Sequence, residues 1–394
     1  MSIYLDHAAT TPTRREVVDA MLPLLGEVFG NPSSAHSAGR LARAALDDAH
    51  ERLAGALNAE AREIVFTSGG TEAINLALKG AAWAATGRGN RIVTSAVEHH
   101  AVLHTLRQLQ KFGFEIVELP VDRYGRLDPD QLDGAINERT ILVSLLLANN
   151  EVGTVQDVDE LVQRVRAHRG VAIHLDAVQA APYLALDVRA LDVDLMSLAA
   201  HKFEGPKGIG ALYVRHRTVL LAQQQGGTQE RYRRAGTENI AGAMGMAVAY
   251  ELSCAERSET VARLARQRDR LRDAVLAVPN VELTGHPRRR LPGHLSIIVR
   301  DADGEALALS LDLQGICCSI GSACSTGSTE PSHVLTALGY PDDEARGALR
   351  LSLGRTNTDD EIDRAAEVVP ATIARMRVAS MVVASDPLGE HVGV

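Results

Sequence analysis

Between residues 63 and 214 the chain repeats one pattern: a short run of β-branched or leucine-rich residues, a polar or glycine-rich break, then apolar residues at helical spacing. The apolar runs lie at 63–67, 91–95, 115–119, 141–147, 171–175, 194–198 and 211–214. Helical patterns stand between them at 72–85, 101–112 and 157–168, with another ahead of them at 40–57. A strand that is apolar along its whole length has to be covered on both faces, and helices returning over the sheet provide the cover. The pattern predicts an α/β fold built on a mainly parallel seven-stranded sheet. From about residue 241 it gives way to one long helix, 241–274, and then to strands near 294–299 and 315–319. The expectation is a large domain over 15–255, a smaller α+β domain made of 1–14 and 256–380, and a flexible tail at 381–394.

Composition narrows the function. With 394 residues, 45% hydrophobic and 23% charged, the chain has the material for a large core and an ordinary soluble surface. The net charge is −9 and the basic residues are scattered, which argues against nucleic acid or a membrane as ligand. The opening MSIYLDHAATTPTRREV lacks the layout of a signal peptide, and no apolar run approaches the roughly 20 residues of a spanning helix. A cytoplasmic location is expected. The cysteines are Cys254, Cys317, Cys318 and Cys324, too few for a disulfide framework, and no C-x-x-C pair or His/Cys cluster marks a metal site.

In open α/β sheets, ligands bind beyond the carboxyl ends of the strands. Read in turn, those ends carry Gly69-Gly70-Thr71, Glu98-His99, Asn149-Asn150-Glu151, Asp176 with Gln179, and His201-Lys202. One polar strand end is commonplace, and a His-Lys pair in a turn is ordinarily a solvated surface feature. Five such ends on one edge of a sheet make a site. The Ser68–Thr71 turn opens a helix, where free backbone N–H groups favour an anion such as phosphate, although the G-x-x-x-x-G-K-[ST] loop of nucleotide triphosphatases is absent. Asp176 closes an apolar strand, where a carboxylate needs a cation such as a protonated pyridine nitrogen. Lys202, at the mouth of a buried strand among glycines, suits a Schiff base with an aldehyde. Phosphate donors, a carboxylate and such a lysine point to pyridoxal 5′-phosphate.

Longer blocks carry a resemblance to a known family. YLDHAATTP (4–12), GNPSSAHSAGR (30–40), TSGGTEAINLALKG (67–80), VEHHAVL (97–103), NNEVGTVQD (149–157), HLDAVQ (174–179), AHKFEGPKGIGALYV (200–214), RRAGTENI (233–240), GSACSTGSTEPSHVL (321–335) and LRLSLGRTNT (349–358) span all but the tail. The chain resembles the cysteine desulfurases of the NifS/IscS group, in the class V aminotransferase family of fold-type I pyridoxal-phosphate enzymes. That resemblance implies Lys202 as the Schiff-base lysine and proton carrier, Asp176 as partner of the pyridine nitrogen, and His99 on the ring face. It implies Asn150 and Gln179 at the cofactor's ring oxygen or the substrate, and Gly70, Thr71 and His201 on the phosphate. Thr237 would join them from the partner subunit of a homodimer. Arg350 would take the carboxylate of L-cysteine, with Asn31 a weaker candidate for the same end. The family's usual serine two residues before the histidine of the His-Lys pair is Ala199 here.

Cys324 differs from its fellows. Cys254 lies in a helical pattern and Cys317 and Cys318 end an apolar run, whereas Cys324 sits in IGSACSTGSTEPS (320–332), glycine, serine and threonine with almost nothing to bury. Such composition predicts a mobile loop. The resemblance makes Cys324 the nucleophile that takes the substrate's sulfur as a persulfide and passes it to a sulfur-acceptor protein for iron–sulfur clusters or thio-modification. Its motif is that of the long-loop group. A selenocysteine lyase or another class V aminotransferase is the alternative.

Overall fold

The computed structural model describes residues 2–321 and 331–385. It divides into two compact units: Thr10–Asn150 with Thr154–Glu259, and the residues up to Ala9 with Glu151–Gly153 and everything from Thr260 onward. The chain starts in the smaller unit with β1 (Ile3–Tyr4) and enters the larger one through α1 (Arg15–Gly26) and α2 (Ser37–Ala56). Strand and helix then alternate: β2 (Ile64–Thr67), α3 (Gly70–Ala84), β3 (Arg91–Ser95), α4 (His100–Gln110), β4 (Glu115–Leu119), α5 (Pro129–Ala135), β5 (Thr140–Leu146), α6 (Val158–Arg166) and β6 (Ala172–Asp176). The hairpin β7 (Leu195–Ala199) and β8 (Gly210–Val214) ends the series.

The seven strands β2 to β8 form one sheet in the order β2-β8-β7-β6-β5-β3-β4. All pairings are parallel except those of β8, which runs against both β2 and β7. The sheet is mainly parallel, as the alternation requires. A parallel partner needs a crossover of a dozen or more residues, and the short turn after β7 leaves β8 only the antiparallel choice. From β3 the chain steps outward to β4 and then back across to β5, so the order reverses between β3 and β5, where crevices open at the strand ends.

Burial explains the elements. Every residue of β5, TILVSLL, is buried, as are all of β2, β7 and β8. Helix α3 lays Ala73, Ile74, Ala77, Leu78 and Ala81 over Ile92, Leu142, Leu195, Leu212 and Val214. Its small residues let the helix approach the sheet closely. Asp128 caps α5 by accepting from Asp130 N–H, with Pro129 at the first turn, where its missing N–H costs nothing.

Helix α7 (Ile240–Leu276) leads out of the larger unit into β9 (Val281–Leu283) and β10 (His294–Val299). The smaller unit continues with α8 (Gly304–Asp312), β11 (Ile316–Cys317), α9 (His333–Ala337), α10 (Asp342–Ala345), β12 (Ala348–Ser352) and α11 (Asp359–Ser385). Strands β12, β10 and β9 form an antiparallel sheet, and β1 pairs in parallel with β11. The expected strand at 315–319 shortens to Ile316–Cys317, preceded by Gly315 in a left-handed conformation at φ +81°. Helix α11 continues to Ser385, and 386–394 of the expected tail lie outside the described residues. No described helix is long and apolar enough to cross a membrane.

Leu142 has no exposure on β5, inside the large sheet, whereas Leu309 on α8 is 63% exposed. Leu142→Ala is expected to lower stability by about 2–5 kcal/mol and Leu309→Ala by no more than about 0.5 kcal/mol, measured by equilibrium denaturation.

Candidate active site

At the end of β7 the backbone turns through Ala200–Lys202, and residues from the start of the unit clamp the turn. Thr11 donates its N–H (3.0 Å) and its hydroxyl (2.8 Å) to His201 O, and its Oγ1 accepts from Glu204 N–H at 2.8 Å. Lys207 Nζ donates to Thr11 O at 2.7 Å. Arg14 Nε donates to Glu204 Oε2 at 2.6 Å while its two terminal nitrogens hold Glu256 at 2.8 Å each. Glu204 stands at φ +62°, a left-handed conformation that a non-glycine residue adopts only when its surroundings impose it. The clamp is that surrounding. His201 Nδ1 lies 3.2 Å from Thr10 Oγ1, and burial, with Lys202 and Lys207 adding to it, pushes its pKa down to about 4. The ring is neutral.

Asp176 ends β6 and is 3% exposed. Its Oδ1 accepts from Val178 N–H at 3.0 Å. Burial raises its pKa to about 6, against the opposing pull of that N–H and of the Lys202 ammonium. Two residues back on the same strand, His174 sits with Nδ1 2.9 Å from Ser144 Oγ and Nε2 2.9 Å from Ser197 Oγ, a polar chain across β5, β6 and β7. Burial pushes His174 down to about 3. Glu98 is fully enclosed: its Oε1 accepts from Ser95 Oγ at 2.6 Å and from Leu146 N–H at 3.0 Å. Burial, with Asp176 adding to it, raises Glu98 to about 8. Next in sequence, His99 caps α4 by accepting from Ala101 N–H at Nδ1, 3.1 Å, so the proton of its neutral ring is at Nε2. Asn149 closes the neighbouring hairpin, its Nδ2 donating to Val97 O at 3.0 Å and its N–H to Thr154 O at 2.8 Å, and so places Asn150.

Helix α3 begins at Gly70, and the first N–H groups of a helix have no carbonyl within it to meet. A Cβ on Gly70 would stand 2.9 Å from Val178 Cγ2 and 3.3 Å from Ala199 Cβ, so only glycine lets this helix start so near the ends of β6 and β7. A cavity of about 350 Å³ opens beside it, lined by Thr71, Asn75, His99, His100 and His104 among others. Gln179 is 5% exposed, and its Oε1 has no hydrogen-bond partner among the described residues.

The larger unit thus contains Gly70, Thr71, His99, Asn150, Asp176, Gln179, His201 and Lys202 together. Thr237 lines another cavity of this unit, about 240 Å³, with Ser68, Gly208, Glu230 and Arg234. Asn31 is exposed, its Oδ1 accepting from Ser33 N–H at 2.9 Å in a local turn. Arg350 belongs to the smaller unit, where it is 1% exposed, meets Asp6 Oδ1 at 2.9 Å and donates to Gly321 O at 3.4 Å. Cys324 lies outside the described residues.

Residues 3–365 match the family model described as aminotransferase class-V. A curated protein named cysteine desulfurase IscS from Methanosarcina thermophila is 48% identical over 376 residues, 95% of this chain and 93% of its own. Another of that name, from Dictyoglomus turgidum, is 46% identical over 96% of each chain. The chain belongs to the class-V aminotransferases, among the cysteine desulfurases. A solved structure described as a NifS-like protein superimposes with a TM-score of 0.90 at 34% identity, covering 95% of this chain and 100% of that one. One described as SspA in complex with cysteine gives 0.80 at 33% identity, covering 89% and 99%.

The cofactor of this desulfurase family is pyridoxal 5′-phosphate, and the residues present fit it. A helix start offers N–H donors to a phosphate, a buried carboxyl offers an acceptor to a pyridinium, Gln179 offers an unpartnered buried amide oxygen, and a lysine stands near that carboxyl. Reading by strand ends missed Thr11, Arg14 and His174. Thr11 falls in the YLDHAATTP block, but neither it nor Arg14 shows its partner locally, because those partners are some 190 to 240 residues away. His174 had a signal: a histidine inside an apolar strand.

Glu98 titrates in the folded chain near 8 and in the unfolded chain near 4.5, so its contribution to stability is whole below 4.5 and is lost as the pH rises through 8. Glu98→Gln keeps the shape and cannot ionise. In thermal melts of the cofactor-free protein from about pH 5 to about pH 9, the variant should gain on wild type as the pH rises. A constant difference would mean that Glu98 is already ionised in the fold.

Proposed function

We propose that the chain removes sulfur from L-cysteine, giving L-alanine and a persulfide on Cys324 that passes to an acceptor protein of iron–sulfur cluster assembly or thio-modification. The observation that carries this reading is the set of strand ends around Asp176 and the Lys202 turn, in a chain so similar along its length to proteins named cysteine desulfurase. The structural neighbour described as a complex with cysteine supports the choice of substrate.

When bound, pyridoxal phosphate supplies an aldehyde for the substrate amine and a ring that accepts electrons from the reacting carbon. Gly70, Thr71 and His201 would hold its phosphate, Asp176 its ring nitrogen, Asn150 and Gln179 its ring oxygen, and Lys202 its aldehyde. As a carboxylate, Asp176 offsets its own burial by accepting from a protonated ring nitrogen. Lys202 Nζ takes and returns the proton at the substrate's Cα. His99 holds a transferable proton at Nε2, because Ala101 occupies Nδ1. Arg350 matches the substrate carboxylate with a two-pronged guanidinium. The Cys324 thiolate attacks the substrate sulfur: an S–S bond forms as the C–S bond breaks, and the carbon keeps the electron pair and takes up a proton on the way to alanine. Cys318 is pushed up to about 12, first by burial, and Cys317 is raised by burial beside Asp312, so neither supplies a ready thiolate.

The reading includes a homodimer in which Thr237 serves the neighbour's phosphate site, and a cytoplasmic location, where thiols that accept sulfur are plentiful. Two measurements test it. Wild-type protein with L-cysteine and a dithiol should release alanine and sulfide, while Cys324→Ala should keep the yellow cofactor and release no sulfide. A yellow wild type that is inert towards cysteine overturns the reading and moves selenocysteine and amino-group transfer to the front. Secondly, Ala199 lies by the start of α3 where the family usually has a hydroxyl. A hydrogen bond to a charged group contributes roughly 1.5–3 kcal/mol, so Ala199→Ser should tighten cofactor binding by about tenfold or more in a competition assay.

A further inference from the structure

A row of polar side chains crosses the interior of the large sheet. Thr94 Oγ1 on β3 donates to Ser144 O on β5 at 2.9 Å, and Ser144 Oγ lies 2.9 Å from His174 Nδ1 on β6. His174 Nε2 in turn lies 2.9 Å from Ser197 Oγ on β7. None of these residues has any exposure. Polar groups at this depth are costly unless they satisfy one another. Two residues earlier on the same strands, Leu142 and Leu195 fill the core under α3, so packing alone asks for apolar side chains here.

The strand register shows what the row stands next to. Ser197 is the parallel partner of Asp176, so the two side chains leave the same face of the sheet from backbones about 5 Å apart. A serine in that place can reach the neighbouring carboxylate by turning about χ1. It does not do so: among the described residues, the hydrogen bond to the Asp176 side chain comes from Val178 N–H. The Ser197 hydroxyl is held at His174 instead, whichever ring nitrogen carries the proton. Lys202 and Glu98 are the other titratable groups whose charge acts with that of Asp176, and neither belongs to the row.

We propose that His174 is a positioning residue for the cofactor: it holds the Ser197 hydroxyl away from Asp176 and so keeps that carboxylate for the protonated ring nitrogen. Its effect on cofactor binding rests on the proposed function, and its effect on Asp176 on geometry alone. With the imidazole removed, Ser197 turns and donates to the carboxylate. The ionised form of Asp176 then gains a hydrogen bond, and the ring nitrogen meets a competitor.

Glutamine places its amide nitrogen near the position of histidine Nε2, and asparagine places its own near Nδ1. His174→Gln therefore keeps a partner for Ser197, His174→Asn keeps one only for Ser144, and His174→Leu keeps neither. The titration of Asp176 is followed in cofactor-free protein by carboxyl 13C NMR, its signal identified by loss in Asp176→Asn. The midpoint should fall by about one pH unit in His174→Leu and His174→Asn, and stay near wild type in His174→Gln. Adding Ser197→Ala to His174→Leu should restore it, because the competing hydroxyl is gone. In a competition assay, affinity for pyridoxal phosphate should fall several-fold in His174→Leu and recover in the pair.

A midpoint that does not move in His174→Leu, or moves equally in the pair, would overturn the proposal, since the ring would then only brace the strands. So would a moved midpoint with unchanged cofactor affinity. If His174→Leu fails to fold, His174→Asn breaks the same bond and decides the matter. If wild type binds no cofactor, the proposed function fails, while the titration still decides what His174 does to Asp176.

Discussion

Asp176 places an ionisable carboxyl at the dry end of β6, and the charges around it are arranged to fit. Water is excluded there, so an ionised group is costly unless it meets an opposite charge or a donor. Its neighbours respond in two ways. Val178 N–H and the Lys202 ammonium favour the carboxylate, while His174 between two serines, His201 beside Thr10 and Glu98 beneath Leu146 N–H are all held in their neutral forms near pH 7. Charge around these strand ends thereby falls on Asp176 and Lys202, the pair proposed to meet the cofactor's ring nitrogen and aldehyde. Had His174 or Glu98 been ionised as well, their fields would compete for the same ring.

The lysine turn shows how a loop can hold position without a large core of its own. Thr11, Arg14, Glu204 and Lys207 converge on a few backbone groups, and Glu204 stays in a left-handed conformation under that restraint. Arg14 is 6% exposed and meets two carboxylates, so its charge is compensated where water is scarce. Rigidity of this kind suits the role proposed for Lys202, carrying a proton to and from one carbon. A lysine on a freely turning loop would lose that alignment.

Much of this was legible in the sequence because burial writes itself into local pattern. Apolar runs located β3, β4 and β10 to the residue and the other large-sheet strands to within one, and a polar residue after each run marked a strand end. The order of strands was not legible, since it depends on which helix crosses which way and no single residue records that. The antiparallel course of β8 was implicit in the shortness of the turn before it. The clamp was invisible, because Thr11 and Arg14 look like any polar residues ahead of a helix until Glu204 and Glu256 are brought to them. Segment composition set Cys324 apart from the other cysteines, and family resemblance gave it and Arg350 their expected roles, which no spacing rule would have joined to Lys202.

The order of these residues along the chain has a consequence for how the protein is made. The clamp is complete once Glu256 has been added, and every strand end facing the cofactor lies before that point. Cys324 and Arg350 are added only afterwards. In the proposed reading, the residues this chain would offer to the ring are synthesised before the thiol that would take the sulfur. In that reading, a chain stalled before residue 324 carries the residues assigned to the cofactor without the one assigned to the sulfur.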